Sequence, residues 1–137
     1  MPEDCVFCRI VADEEPAYVV DYDALTVSFL DINAVALGHT LVIPRAHVET
    51  LTGMNASQTG ALFNSVRQVA GAVQRALDAD GFNAFHSSGA AAGQDVFHAH
   101  VHVIPRYEDD DISFAPPRHR LTEKEGKRVA ERIGDEL

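Results

Sequence analysis

The alternation of histidines with apolar residues between positions 97 and 105, which read FHAHVHVIP, constrains the fold of this chain more than any other feature. A period of two residues is typical of a β-strand, whose successive side chains point to opposite faces. Residues on one face lie about 6.6 Å apart, so the stretch predicts a row formed by His98, His100 and His102. A purely structural row would need a buried partner for each ring. We therefore interpret the row as a functional site.

Two mechanisms fit such a row of imidazoles. In the first, the histidines bind zinc, which polarises a water molecule for hydrolysis. In the second, one neutral imidazole attacks an electrophile while its neighbours set its tautomer and orientation. The spacing alone does not separate these alternatives, because both need rings on one face of one strand.

The rest of the chain predicts an α+β fold in one domain spanning residues 1–137, since 137 residues with 46% hydrophobic content suffice for a core. Runs rich in Val, Phe, Tyr and Ile predict further strands at 17–22, 25–32, 39–43 and 82–85. The first two are separated by Asp23 and Ala24, which indicates an antiparallel hairpin. We therefore expect a mainly antiparallel sheet of about five strands.

Helical patterns occur in three places. Apolar residues recur at helical spacing after Asn55 and end at Asp80-Gly81, which predicts one long amphipathic helix. Thr122 and Glu125 match a capping box and predict a shorter C-terminal helix. A short helical turn over 6–11 is expected behind Asp4 as its N-cap. The acidic run 108–111 predicts a solvated loop without a specific role.

The net charge of −10 disfavours nonspecific binding to nucleic acid and to anionic membrane surfaces, both of which select for basic patches. It is compatible with a nucleotide held in a shielded pocket. No run of 18 apolar residues occurs, and the N-terminus lacks the features of a secretory signal. We expect a cytoplasmic protein, where the C-x-x-C pair Cys5 and Cys8 favours metal ligation over a disulfide.

The sequence resembles the histidine-triad (HIT) nucleotide-binding family, in particular its bacterial and archaeal HIT-like hydrolases. Residues 98–104, HAHVHVI, match every position of the signature His-φ-His-φ-His-φ-φ, where φ is apolar. Further similar segments are CVFCRI at 5–10, FLDIN at 29–33, GHTLVIPRAH at 38–47 and AGQ at 92–94. The resemblance covers residues 5–107 and leaves 108–137 as an acidic loop and a C-terminal helix.

This resemblance implies a HIT-like fold and an enzyme that cleaves a nucleoside phosphoramidate or dinucleoside polyphosphate at the α-phosphorus. His100 corresponds to the nucleophile, which would form a covalent nucleotidyl intermediate. His102 and His39 would lie beside the phosphate and contribute orientation, positive charge or proton transfer. The backbone of His98 would orient His100. Such proteins are usually homodimers with a small nucleotide substrate and no organic cofactor.

The nucleotide-binding residues are also implied by the resemblance. Apolar positions for the base are Phe7, Ile10, Phe29 and Ile32, and Asp31 corresponds to an acid that holds the ribose, although an Asp at this point could equally cap a turn at Asn33. Gln94 and its loop would donate hydrogen bonds to phosphate. Two positions depart from the family pattern: Ser87 stands where many relatives have asparagine, and Asp95 where a hydroxyl residue is common.

The resemblance further implies a structural zinc ion, held by Cys5, Cys8, His47 and His98. Two sulfur and two nitrogen ligands suit a closed tetrahedral site. Two other functions remain open: a nucleotide-binding protein with little turnover, which Ser87 and Asp95 would favour, and a zinc-dependent hydrolase that uses the histidine row itself. His86 and His119 receive no role from the sequence.

Overall fold

A five-stranded antiparallel sheet in the order β1-β2-β3-β5-β4 lies at the centre of the computed structural model, which describes Pro2 and residues 4–137. The strands are β1 (Val19–Tyr22), β2 (Thr26–Leu30), β3 (Thr40–Pro44), β4 (Gly81–Phe85) and β5 (Val101–Arg106). The helices are α1 (Val6–Val11), α2 (Ala56–Ala76) and α3 (Glu123–Gly134). The predicted α+β fold, with one long helix and a shorter C-terminal one, is confirmed.

Helix α2 covers one face of the sheet. It begins at a capping box in which Asn55 and Gln58 each accept from the other's backbone N–H. Its buried stripe packs against the apolar residues of β3 and β5 on that face; the cluster comprises Leu62, Val66, Val69, Ala70, Val73, Val42, Val101 and Val103. Each fully buried Val or Leu contributes roughly 1.5–3 kcal/mol, so this layer is the main core.

Helix α1 lies over the opposite face, where a second buried cluster contains Phe7, Val27, Phe29, Leu41 and Ile43. Side chains alternate along β5, so the face opposite Val101 and Val103 carries His102, which pairs with Leu41. The histidine side of the sheet is therefore the side of α1. This arrangement brings the N-terminal C-x-x-C segment to the histidine stretch.

The strand that contains the histidines is shorter than predicted, because β5 begins only at Val101. Before that residue, Ala99 donates its N–H to the carbonyl of Val48 at 2.7 Å, in a loop rather than a strand. The carbonyls of His98 and His100 accept from imidazole rings instead of a neighbouring strand. The prediction that the strand already contains His98 and His100 was therefore wrong, although the rings of His100 and His102 lie 5.0 Å apart and line one cavity.

Two smaller predictions also need correction. Helix α1 is capped by Cys5 and not by Asp4, because the Cys5 sulfur accepts the N–H of Cys8 at 3.4 Å. The acidic run does contain a specific interaction: both carboxylate oxygens of Asp110 accept from the guanidinium of Arg106. This ion pair holds the pKa of the Asp110 carboxyl well below its usual range.

Helix α3 begins at the predicted capping box of Thr122 and Glu125 and has no buried residue. Within the part of the chain that the structure describes, no helix has both the length and the apolar character needed to cross a membrane.

Candidate functional site

A cavity of about 230 Å³ opens between α1, the end of β2 and the histidine stretch. Its wall combines all five residues predicted to hold the nucleoside with three predicted to act at the phosphate: Phe7, Ile10, Phe29, Asp31, Ile32, Asp95, His100 and His102. Phe7 packs edge-on against Phe29 and His100, with ring centroids 5.4 Å and 5.2 Å away. One end of the cavity is therefore apolar, whereas the other end carries two imidazoles.

The tautomer of His100 follows from its hydrogen bond to the backbone. Its Nδ1 lies 2.7 Å from the carbonyl oxygen of His98, which can only accept. Nδ1 therefore carries the proton, and in the neutral ring Nε2 keeps a lone pair. Burial lowers the pKa of His100 below its usual value of 6.5. A buried, neutral and oriented ring with a free nitrogen is suited to nucleophilic attack.

His39 and His102 form a second, connected pair. The N–H of Val35 points at Nδ1 of His39 at 3.1 Å, so the proton of a neutral His39 is on Nε2. That N–H is 2.9 Å from Nδ1 of His102, which accepts it. A neutral His102 consequently carries its own proton on Nε2. His102 can thus donate a hydrogen bond to a ligand in the cavity.

The expectation of positive charge at His102 needs correction for the ligand-free protein. Burial, followed by the nearby rings of His100 and His39, lowers the pKa of His102 from 6.5 to about 4. The carboxylates of Asp31 and Asp95 oppose this shift without cancelling it. His102 is therefore neutral near pH 7 in the ligand-free protein, where its Nε2–H is a hydrogen-bond donor.

This depressed pKa predicts that His102 makes folding stability depend on pH. Because its pKa is 6.5 unfolded and about 4 folded, the unfolded chain binds the proton first as the pH falls. A stabilising contribution that is complete above pH 6.5 is then lost as the pH falls through 6.5 towards 4. Urea denaturation from neutral to acidic pH should show a flatter profile for His102→Gln than for the wild type. Parallel profiles would contradict this prediction.

Asp31 makes the turn-capping contact and also lines the cavity. One carboxylate oxygen accepts the N–H of Asn33 at 2.9 Å, which is the turn-capping contact. The other lies 3.6 Å from Nε2 of His39, and the side chain still lines the cavity. Capping therefore does not remove the carboxylate from the site, and a ligand can reach it beside the histidine pair.

The loop between β4 and β5 is held by Gln94, which differs from the role predicted for this side chain. Its Nε2 donates to the carbonyls of Glu49 at 2.7 Å and Val96 at 3.0 Å, while its Oε1 accepts the N–H of Gly89 at 2.7 Å. Both amide hydrogens are committed within the protein. A phosphate in the cavity would therefore need donors other than the Gln94 side chain.

The two departures from the family pattern lie in different places. Asp95 is exposed and lines the cavity with His100 and His102. Ser87 is half-buried in the loop after β4, and it is not among the cavity-lining residues described above. Only Asp95 places an additional negative charge next to the two histidines.

His86 has a structural role that sequence analysis did not identify. Its Nδ1–H donates to the carbonyl of His100 at 2.9 Å. Its Nε2 accepts the N–H of Leu51 at 3.3 Å and lies 2.6 Å from the hydroxyl of Ser88. The ring thus fixes the backbone immediately before β5. The available signal was its position directly after β4, the strand that pairs with β5.

A group of four potential metal ligands lies beside this site. The ligand atoms of Cys5, Cys8, His47 and His98 all lie within 4.8 Å of one another. Nδ1 of His98 is 3.6 Å from the Cys5 sulfur and 3.5 Å from the Cys8 sulfur, and Nδ1 of His47 is 3.3 Å from the Cys8 sulfur. Nε2 of His98 donates to the carbonyl of Pro44 at 2.8 Å. The lone pair of His98 consequently faces the sulfurs.

These residues fit zinc by their chemistry. Two thiols and two imidazoles form a closed S₂N₂ donor set, and a carbonyl that receives the second N–H of a ligand histidine is usual in zinc sites. Burial and the adjacent Cys5 raise the pKa of the Cys8 thiol to about 11. A cation at this position would favour the thiolate, because it offsets the cost of burying negative charge.

A second cluster contains Asp31, His39 and His102, whose potential ligand atoms also lie within 4.8 Å of one another. The hydrogen bonds of the two histidines, however, place protons where a metal ion would need lone pairs. His39 could offer Nε2 to a metal only by moving its proton to Nδ1, where the N–H of Val35 already points. The three triad rings do not form such a group within the described residues. The structure therefore disfavours a hydrolase that uses the triad as its zinc ligands.

Comparison with known proteins places this geometry in context. The family profile described as HIT domain matches residues 12–109. A HIT-like protein of Borreliella burgdorferi is 42% identical over 113 residues, which cover 81% of each chain. The Arabidopsis thaliana protein named adenylylsulfatase HINT3 is 38% identical over 123 residues, covering 88% of this chain and 62% of that protein.

Solved structures share the whole fold. SMU.412c from Streptococcus mutans superposes with a TM-score of 0.95 at 39% identity, covering 99% of this chain and 87% of that one. A zinc-bound histidine triad family protein from Mycobacterium smegmatis has a TM-score of 0.77 at 37% identity, covering 97% and 96%. The similarity therefore extends beyond the histidine motif to nearly all of the chain.

Proposed function

This chain belongs to the HIT domain family, and from that premise we propose that it hydrolyses or transfers the nucleotidyl group of a nucleoside phosphoramidate or dinucleoside polyphosphate. The observation that carries the proposal is the hydrogen bond from Nδ1–H of His100 to the carbonyl of His98. It leaves Nε2 as the free nitrogen of a ring that lines the cavity. A relative named as an adenylylsulfatase is consistent with chemistry on nucleotides.

In the proposed reaction the base occupies the apolar end of the cavity and the α-phosphate lies next to His100. Nε2 of His100 attacks phosphorus, and the leaving group departs with the electron pair of its bond to phosphorus. Positive charge develops on the ring, which strengthens the bond from Nδ1–H to the His98 carbonyl in the transition state. Water then attacks phosphorus, and the bond from phosphorus to Nε2 breaks with its electron pair returning to the ring. This releases the nucleoside monophosphate, a proton to solvent and neutral His100.

His102 would assist by donating Nε2–H to a phosphate oxygen or to the leaving atom. His39 supports this role because its Nε2–H, donated to Nδ1 of His102, sets the tautomer of that ring. A donor fixed in advance stabilises developing negative charge better than water, which must reorient. This part of the proposal needs no charge on either histidine.

The test follows nucleoside monophosphate release from adenosine phosphoramidate and from diadenosine polyphosphates. An alkaline quench during turnover, followed by mass spectrometry, should detect a nucleotidyl group on His100. Turnover without any adduct, under conditions that accumulate intermediates in single-turnover experiments, would count against the covalent route.

A second function, nucleotide binding with little turnover, is favoured by two observations. Asp95 adds a carboxylate beside the rings of His100 and His102. Gln94 donates both amide hydrogens to backbone carbonyls and has none left for a phosphate. Both features weaken the stabilisation of a developing negative charge on phosphate. Tight binding of a nucleotide with neither product nor adduct would select this alternative.

The proposed ribose contact makes Asp31→Ala a specific prediction. Removing an acceptor that holds ribose hydroxyls should raise KM by about tenfold or more, since a hydrogen bond to a charged group contributes about 1.5–3 kcal/mol. Asp31→Asn keeps an oxygen for the Asn33 turn and separates capping from binding. Thermal denaturation should show a folded protein. Unchanged nucleotide affinity in both variants would contradict the ribose contact and would mean that Asp31 only caps the turn at Asn33.

We further propose a structural zinc ion at Cys5, Cys8, His47 and His98. The donor set supports it, as does a zinc-bound relative of 37% identity. The ion would connect α1 to the histidine stretch and take no part in the reaction. We also propose that residues 1–137 act as one domain and that the protein is cytoplasmic. It would form a homodimer, and light scattering on the purified protein tests this oligomeric state.

A further inference from the structure

An aromatic side chain from the edge strand β4 covers one face of His102. The Phe85 ring lies 4.6 Å from the His102 ring, centroid to centroid, at an interplanar angle of 19°, which is a stacked arrangement. The two residues are paired partners across β4 and β5. Phe85 itself is 37% exposed, so it is not a core residue. A large apolar ring that remains this exposed contributes little to a core, so its main contacts are those with neighbouring rings.

A second aromatic residue supports the first from the segment after β5. Phe114 contacts Phe85 edge-on, with centroids 5.7 Å apart. The guanidinium of Arg106 lies 5.5 Å above the Phe114 ring and also donates to Asp110, Asn83 and the Ile112 carbonyl. The acidic loop thus holds a row of rings in place: Phe114 on Phe85, and Phe85 on His102.

We propose that Phe85, supported by Phe114, is a positioning residue that holds the ring plane of His102 in the productive orientation. The inference rests on the proposed function of His102 as a hydrogen-bond donor. Phe85 does not line the cavity, so its effect passes through His102. This proposal gives β4 and the acidic loop a role in catalysis, although neither belongs to the histidine motif.

The need for this stack follows from the other contacts of His102. Nδ1 accepts from His39, which fixes one point of the ring but allows rotation about the hydrogen-bond direction. His100 contacts the ring edge-on with centroids 5.0 Å apart. Phe85 supplies the flat surface that determines where Nε2–H points. A donor misplaced by about 1 Å loses roughly a hundredfold in rate.

Phe85 also keeps water from one face of His102. The charged and titratable groups around that ring are His100, His39, Asp31 and Asp95, and burial is the largest of the effects that lower its pKa. Opening the Phe85 face should therefore raise the pKa of His102 towards 6.5. This gives a readout that does not depend on any substrate.

The experiment compares Phe85→Ala with Phe82→Ala in the full-length, metal-loaded protein. Phe82 is a matched control: it lies on the same strand, is 43% exposed and pairs with Pro105. For Phe85→Ala we expect kcat to fall about ten- to a hundredfold, with KM within about twofold. The NMR titration of His102 should shift upwards in this variant. Phe82→Ala should match the wild type in both measurements.

Conservative and remote variants complete the test. Phe85→Tyr keeps a flat ring and should restore kcat and the low pKa of His102, whereas Phe114→Ala should reproduce the defect more weakly. Wild-type kcat and an unshifted His102 titration in Phe85→Ala would overturn the proposal. If no variant, including the wild type, turned over substrate, the proposed function would fail. The contrast between Phe85→Ala and Phe82→Ala in the His102 titration would still decide this inference.

Discussion

His100→Ala is expected to lower the rate of nucleoside monophosphate release by a factor of about 10⁴ or more, the size found when a nucleophile is removed from a covalent mechanism. The expectation follows from the ring's single free nitrogen: Nδ1–H is committed to the His98 carbonyl, so Nε2 is the atom that can attack. No other described histidine lines the cavity with a free basic nitrogen, since His102 carries its proton on Nε2. The covalent adduct should disappear together with turnover.

Steady-state kinetics on adenosine phosphoramidate and diadenosine polyphosphates measures this loss. His119→Ala is the control, because His119 is exposed, pairs with Glu125 of α3 and does not line the cavity. Nucleotide binding to His100→Ala, measured by calorimetry, should persist because the base and ribose contacts remain. Substantial activity that survives in His100→Ala but is abolished by a chelator would instead revive the zinc-dependent hydrolase.

Removal of zinc is expected to produce the largest change in stability. A metal present at a thousandfold excess over its Kd stabilises the folded state by about 4 kcal/mol. For a chain of 137 residues that corresponds to roughly 14 °C in Tm. Purified protein without a histidine tag should contain about one zinc ion per chain. Chelation should then lower the Tm, because α1 would lose its connection to the histidine stretch.

Cys8→Ser separates this effect from ordinary loss of packing. Cys8 is 3% exposed, so the substitution itself destabilises the fold to some degree. The informative quantity is the response to chelator: the wild-type Tm should fall, whereas the Tm of Cys8→Ser should not change. His47→Gln, at a half-buried position, should behave as Cys8→Ser does. Zinc-free wild-type protein with a chelator-independent Tm would contradict the structural-metal proposal.

Periodicity made much of the fold predictable. The alternation in β5, the helical stripe of α2 and the capping boxes at Asn55 and Thr122 all depend on neighbours within a few residues. The residues around the nucleotide cavity came from the family resemblance, and the structure brings them to one wall. Local pattern and family motif together therefore predicted residues that the structure brings to one cavity.

The remaining features depend on contacts between distant segments. The role of His86 arises because the end of β4 lies against the backbone of His100, which no local pattern reveals. Gln94 was assigned to phosphate, but its amide is used by Glu49, a residue 45 positions away. The sequence predicts only a solvated run at Asp110, because its partner Arg106 is recognisable only once the loop folds back. Hydrogen-bond partners of polar side chains are set by tertiary structure.

One consequence concerns His98. Its ring faces the cysteines, while its carbonyl accepts the hydrogen bond from Nδ1–H of His100. His98 therefore links the group of potential zinc ligands to the ring of His100. If the backbone at position 98 moves, this carbonyl no longer fixes the Nδ1–H tautomer of His100, and part of the neutral population carries its proton on Nε2 instead. Because the two tautomers exchange much faster than turnover, metal loss would then lower the kcat of every molecule in the proposed reaction, in proportion to the remaining share of the Nδ1–H tautomer.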